Sequence, residues 1–390
     1  MEKTILSTAD RIREAFVEQF DEVPRMFRSP GRINLIGEHT DYNGGFVLPA
    51  SVDKAVYFAL TPRSDDWVYL QAVDLDETYK FRLSDLSKPD CEWPYYQLSV
   101  LDQLQKHEIK ISGFQASFGG DVPVGAGMSS SAALECCLLF ALNEVFDLGL
   151  DRLEIVKMAQ KAENEYVGVN CGIMDQFASV FGRSQSVIRL DCRSLEYEYF
   201  PFPMEEYLLI LCDTTVKHSL ADTEYNLRRQ ECEQGVAILQ KYHPAIQSLR
   251  DVTPRLVKEH EAEMGPVVYR RCKYMTEEIE RVQQACELLL DGDLEGFGKK
   301  MYATHDGLQY EYEVSCPELD FLVAQTRTNP DVVGARMMGG GFGGCTINLV
   351  RRTEADVFES AMKAAYRREY DIELPCYRVN ITKGTTELVS

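Results

Sequence analysis

The sequence predicts an α+β protein, and two observations carry that prediction. The first hundred or so residues set β-branched and aromatic residues between turn-formers, a pattern of strands. From Ser129 onward, segments of helical length and spacing dominate, and strands fall singly among them without a regular βαβ alternation. At 390 residues the chain has room for two domains or one large composite.

Taken in order, Ser7 stands before Ile12, Phe16 and Phe20, spaced four apart, which predicts a capped amphipathic helix. Strands are predicted near 31–36, 55–60 and 67–72, and another over 114–118. Helices fit 130–146, 152–166, 222–240, 277–290 and 354–370, while 186–190, 207–212, 334–338, 346–350 and 377–381 read as strands. No Pro/Gly/Ser-rich linker, repeat or low-complexity stretch separates the halves. A boundary between domains of residues 1–200 and 201–390 is therefore expected to be packed over.

Lys and Arg number 41 against 62 Asp and Glu, a net charge of −21 that repels a polyanion and argues against nucleic-acid binding. One small phosphate held at contact distance by backbone amides stays compatible with that charge. No stretch approaches the roughly 20 apolar residues of a membrane span, and the first twenty residues lack a signal-peptide core, so a cytoplasmic location is expected. The 12 cysteines are scattered apart from adjacent Cys136 and Cys137, without metal-finger spacing, and read as reduced thiols.

Three glycine-bearing motifs carry the chemistry. The first, SPGRINLIGEHTDYNGG over 29–45, gathers Arg32, Glu38, His39, Thr40 and Asp41 just beyond a buried strand, where side chains can converge on a ligand. Short acceptors in a cluster suit a polyhydroxyl ligand; the plainer alternative is an Asx-rich turn built on Asn43-Gly44-Gly45. The second, VPVGAGMSSSAA over 122–133, places Gly125, Gly127, Ser129, Ser130 and Ser131 where a strand gives way to a helix, which makes an anion cradle. It lacks the Lys of a Walker A loop, and its three hydroxyls exceed what an N-cap needs. The third, GGGFGG over 339–344, has more glycines than a tight hairpin uses, which points to close packing against a ligand or against the second motif. Between the last two, Asp175 in CGIMDQFAS reads either as a helix cap or as a partly buried functional acid. Glu163, on the preceding helix, is either solvated or turned into a pocket.

Together these motifs resemble those of the GHMP kinases, a superfamily of small-molecule kinases, and GRINLIGEHTDYNGG resembles the signature of its galactokinase family. The resemblance implies a two-domain GHMP kinase fold: an N-terminal domain with a ribosomal-protein-type left-handed β-α-β arrangement, a ferredoxin-like C-terminal domain, and the active site between them. It implies ATP-dependent phosphorylation of the anomeric hydroxyl of galactose, with Asp175 as base and Arg32 offsetting charge on the transferring group. Glu38, His39, Thr40 and Asp41, joined by Gly172 and Tyr225, would bind the sugar. Gly125, Ala126, Gly127, Met128, Ser129, Ser130 and Ser131 would wrap the ATP phosphates, and Met128 stands where the family usually has Leu. Ser131 and Glu163 would complete a Mg²⁺ shell. Trp93, unusually followed by Pro94-Tyr95, would lie beside adenine. The implied partners are galactose and Mg-ATP on a monomer, with no nucleic acid and no membrane. An N-acetylgalactosamine kinase would keep similar motifs but need space beside the sugar's second carbon. A non-catalytic galactose and ATP sensor would be expected to lose phosphate-loop residues, and SSSAA is intact here.

Overall fold

The computed structural model describes residues 6–389 apart from 124, 170 and 217–220, so Val124 of the second motif lies outside the described residues. Helix α1 (Thr8–Phe20) is capped by the Ser7 hydroxyl, which accepts from the Asp10 N–H, and it buries Ile12 and Phe16. Then come β1 (Arg25–Asn34), β2 (Phe46–Val47), β3 (Pro49–Pro62), β4 (Trp67–Ala72), β5 (Glu77–Arg82), α2 (Tyr95–Lys106) and β6 (Phe114–Gly120). Helices α3 (Ser130–Phe146), α4 (Arg152–Ala162) and α5 (Met174–Phe181) precede β7 (Ser186–Asp191) and β8 (Tyr197–Pro201). The remainder runs β9 (Tyr207–Asp213), α6 (Ala221–Gln240), α7 (Pro254–Glu259), α8 (Glu261–Leu290), α9 (Leu294–Tyr310), α10 (Pro317–Thr326), β10 (Val332–Met337), β11 (Cys345–Arg351), α11 (Ala355–Tyr370), β12 (Cys376–Val379) and β13 (Thr386–Leu388).

The strands form three sheets, and the class is α+β. A six-stranded sheet has the order β13-β1-β3-β6-β4-β5, antiparallel except for the β4–β6 pair. Helices α3 and α5 pack against β1 and β3, and α1 packs against β3 and β6, so β1 is buried along nearly its whole length. A four-stranded antiparallel sheet has the order β10-β11-β9-β12, which is the strand order of a ferredoxin-like βαββαβ unit. Strands β2, β7 and β8 make a small third sheet. One apolar core runs through all of this, joining Leu48 and Phe177 to Val282, Met301 and Ile347. Among the described residues no helix is long and apolar enough to cross a membrane.

Two departures from the sequence pattern shape the site. Strand β1 begins six residues before the predicted 31–36 segment, because Pro30 sits at a register shift between Pro30 and Arg32 and disguises the run. The helix predicted over 152–166 ends as α4 at Ala162 and continues as a π-turn over Glu163–Val167. Such turns re-aim side chains, and this one turns Glu163 inward to 7% exposure.

Candidate active site

The register shift in β1 is the root of the site. It brings Gly31 so close to the second motif that a Cβ there would lie 2.7 Å from the Met128 carbonyl. That carbonyl instead accepts the Arg32 N–H at 3.0 Å. The loop is thereby stitched to the sheet, with Gly125 and Gly127 at φ +83° and +70°, a conformation glycine adopts without strain. Ala126 and Met128 turn their side chains into the core. Ser129 occupies the N-cap position of α3 but does not cap it; its hydroxyl donates to Asp175 Oδ2. The first N–H groups of α3 are thus left without a side-chain cap, the arrangement an incoming phosphate completes.

Arg32 reaches across to α5. Its Nε donates to Asp175 Oδ1 at 2.7 Å and its Nη2 to Oδ2 at 2.8 Å, while Nη1 donates to the Gly127 carbonyl. Asp175 is therefore no helix cap: it lies on the first turn of α5 with both oxygens committed to Arg32 and Ser129. Burial works against the Arg32 charge, but the attraction of Asp175 and its hydrogen bonds hold the guanidinium above its ordinary range.

A cavity of about 250 Å³ opens beside this pair, lined by Arg32, Glu38, His39, Asp41, Glu163, Gly172, Asp175, Tyr225 and the loop from Gly339 to Phe342. Four carboxylates face one guanidinium there. Burial, then the charge of Asp175, pushes Asp41 up to about 6. The same two causes raise Glu163, and burial brings His39 down to about 4. A Cβ on Gly172 would lie 1.8 Å from Asp41 Oδ2, so only glycine lets Asp41 stand where it does. The loop after β1 is held in an unusual shape, with His39 at φ +66° and its carbonyl taken by the Asn43 amide. Thr40 does not line the cavity: it is fully buried, and its hydroxyl binds the Gly37 and Phe46 carbonyls, which shapes the loop from behind. Glu38 faces the cavity but spends Oε1 on Arg336 Nη2 at 2.9 Å and the Gly339 N–H at 2.8 Å.

On the far side of the phosphate loop a second cavity of about 340 Å³ is lined by Ser130, Ser131, Tyr96, Phe118, Val122 and Leu134, among others. Trp93 is not among its lining residues. It stands one ring behind, 5.7 Å from Phe118, with its indole N–H on Glu77. Ser131 stands close enough to Glu163 to favour its charged form, and Glu163 Oε2 accepts from Gln176 at 2.8 Å. These two oxygens sit beside Asp175 in surroundings with surplus negative charge, a donor set that fits a hard divalent cation.

Sequence reasoning missed Arg336, a fully buried cation whose guanidinium binds the Asn34, Leu35 and Met337 carbonyls as well as Glu38. A lone arginine in an otherwise apolar strand, VVGARM, was the available signal. The third motif packs as its glycine content implies. Gly341 and Gly343 have φ of +88° and +136°, and a Cβ on either would strike the carbonyl of Val314 or Val216. Gly344 approaches Gly125 of the second motif.

Comparison with known proteins agrees with this layout. The GHMP kinases N terminal domain matches residues 96–183, the GHMP kinases C terminal domain 276–368, and a galactokinase galactose-binding signature 14–62. A galactokinase of Thermotoga neapolitana is 40% identical over 93% of this chain and 99% of its own. One from Clostridium acetobutylicum is 39% identical over 97% and 98%. The crystal structure of Lactococcus lactis galactokinase complexed with galactose superimposes with a TM-score of 0.91 at 34% identity, covering 96% of this chain and 98% of that one.

Proposed function

The chain belongs to the galactokinase family of the GHMP kinases, and from that membership we propose that the two cavities are the sugar and nucleotide sites of one phosphoryl-transfer reaction. The reaction moves the γ-phosphoryl group of ATP to the anomeric hydroxyl of galactose and yields galactose 1-phosphate.

The observation that carries the residue assignments is the Arg32–Asp175 pair, which lies between the sugar-sized cavity and the phosphate loop. A carboxylate offers about four lone-pair sites. Arg32 and Ser129 take three of those on Asp175, which leaves one for a substrate hydroxyl. Asp175 receives the proton of that hydroxyl as the oxygen attacks phosphorus. Arg32, anchored to the Gly127 carbonyl, offsets charge on the transferring group from a fixed position and needs no reorganisation to do so. Glu38, His39, Asp41 and Tyr225 supply acceptors and donors to the sugar, and Gly172 gives Asp41 its space. The α3 N-terminus and residues 125–131 receive the phosphates.

Ser131 and Glu163 would hold Mg²⁺, which when bound screens charge between the phosphates. The base of the nucleotide would lie against Phe118, with Trp93 supporting that ring. We assign residues 1–200 to an N-terminal domain carrying the sugar motif and phosphate loop, and 201–390 to a C-terminal domain carrying the third motif. Every role assigned to the two cavities is filled by a residue of this chain, and we propose that it acts as a monomer. All twelve thiols are free, in keeping with the reducing cytoplasm.

ADP release measured with a panel of hexoses tests this assignment. Galactose should support turnover, and glucose, which misplaces one hydroxyl against buried acceptors worth about 1–3 kcal/mol, should be much poorer. Equal turnover of the two sugars would overturn the sugar assignment.

A further inference from the structure

Behind the sugar cavity, an aromatic cluster leads to the imidazole of His39. Among the described residues that ring makes one side-chain hydrogen bond: Nδ1 lies 2.9 Å from the Tyr42 hydroxyl. The Tyr42 hydroxyl is 2.8 Å from the hydroxyl of Tyr312, which in turn is 3.4 Å from Cys232 Sγ. His39, Tyr312 and Cys232 are at most 5% exposed and Tyr42 is half-buried, so these bonds form in largely desolvated surroundings. The other nitrogen, Nε2, is buried and completes no hydrogen bond with a described residue, and His39 is among the residues that line the cavity.

We propose that Cys232, Tyr312 and Tyr42 form a one-way chain of hydrogen bonds that holds neutral His39 with its proton on Nε2, so that the ring offers a donor to the sugar. The proposal rests on the assignment of this cavity to galactose.

Two ends fix the direction of the chain. At the far end, Asn43 donates one amide hydrogen to the His39 carbonyl and favours negative charge on the neighbouring Cys232 sulfur. With a donor amide facing its sulfur, the thiol turns its S–H toward Tyr312. Tyr312 then donates to Tyr42, and Tyr42 donates to Nδ1. At the near end, the carboxylates of Glu38 and Asp41 line the same cavity, and Glu38 and the Gly340 backbone favour a proton on the ring against the opposing charges of Arg228 and Arg336. A bare Nε2 lone pair among those oxygens would be repelled. Burial keeps the ring neutral, so it carries one proton and its placement decides what His39 recognises.

The consequence is a division of labour. Glu38 and Asp41 accept from sugar O–H groups, and His39 donates to a sugar oxygen. A ligand is then read by the direction of its hydrogen bonds as well as by its shape. Tyr42, Tyr312 and Cys232 are positioning residues, since none is expected to touch the reacting atoms.

The test joins spectroscopy to kinetics on the full chain. Nitrogen NMR of the protein with ¹⁵N-labelled histidine rings, with the His39 signals assigned by their loss in His39→Gln, should show Nε2 protonated and Nδ1 bare. In Tyr42→Phe the Nδ1 resonance should move to the position of an unbonded ring nitrogen. The KM for galactose should rise roughly tenfold in Tyr42→Phe and less in Tyr312→Phe, while kcat and the KM for Mg-ATP stay within about twofold. Cys232→Ser, which retains a donor, should behave as wild type. A proton on Nδ1 in the wild type overturns the proposal, as does a Tyr42→Phe variant with unchanged galactose KM or with a loss confined to kcat. If no hexose supported ADP release, the kinase assignment would fail while the NMR result still decided the tautomer.

Discussion

Replacing Asp175 by Asn tests the centre of the site, and the structure sets the size of two separate effects. The substitution keeps one oxygen and the side-chain volume but removes the charge and turns an amide N–H₂ toward a guanidinium only 7% exposed. Breaking a buried ion pair by removing one partner costs about 3–5 kcal/mol. Asp175 is itself 24% exposed to the cavity, and Arg32 keeps the Gly127 carbonyl and one amide oxygen, so about 2 kcal/mol is the expected loss. With an unfolding entropy of about 2.1 cal/mol/K per residue, that lowers the midpoint of a chain of this length by roughly 2–3 °C if it unfolds as one unit. Turnover should fall much further. Loss of a general base costs about 10²–10⁴-fold, and here Arg32 also loses one of its two hydrogen bonds to residue 175, so a fall of about 10³ in kcat is expected. The assay is coupled ADP release at 25 °C with both substrates saturating, beside a calorimetric midpoint and a galactose-binding measurement on the same preparation. A variant that binds galactose and turns over within threefold of wild type would refute the assignment. An Asp175 that served only to pair Arg32 and Ser129 would show the loss of stability without the loss of rate.

Other consequences can be checked with the same assay. Ser131→Ala should raise the Mg²⁺ concentration needed for half-maximal rate by roughly tenfold and leave galactose binding without nucleotide untouched; an unchanged Mg²⁺ curve would remove Ser131 from the metal site. Gly172→Ala puts a methyl group 1.8 Å from Asp41 Oδ2, so Asp41 must shift by about 1 Å or more, and kcat/KM for galactose should drop about 10²-fold with KM for Mg-ATP preserved. Asp41 is raised from 3.8 to about 6 by burial and by Asp175, so between those values the folded protein keeps a proton that the unfolded chain has lost. Its contribution to stability is therefore most favourable below about pH 4 and declines as pH rises toward 6. Galactose O–H groups need the ionised form, so KM for galactose should fall as pH rises through about 6 in the wild type and stay flat in Asp41→Asn; a flat wild-type profile from pH 5 to 7 would count against Asp41 as a sugar acceptor.

The strongly periodic elements were legible: α3 and β4 lie where their patterns put them, and the Ser7 cap of α1 follows from the order of residues alone. Short or interrupted elements were not. Helix α5 spans eight residues whose apolar run lacks the length to declare a period, and the inward turn at Glu163 is a π-distortion that a 3.6-residue pattern does not encode. The same division holds at the site. Residue types and spacing picked out the groups that the fold brings together, because a dense polar run beside glycines has few other uses. Which partner each group takes depends on contacts from distant sequence. Glu38 is committed to Arg336, almost three hundred residues away; Thr40 looked like a neighbour of the ligand and is a brace instead; and Phe118 shields Trp93 from the second cavity.

Strand β13 pairs with β1 through Met26 and Leu388, and Arg25 binds Glu387, 362 positions along the chain. During synthesis, the strand that will carry Arg32 is therefore made long before its edge partner exists. At roughly 5–20 residues per second, that edge waits for tens of seconds. A row of unpaired N–H and C=O groups on a strand built to be buried along nearly its whole length is an invitation to another nascent chain. The order of assembly in time thus differs from the order of contacts in space, and Arg32 sits on a strand whose edge is among the last to be completed.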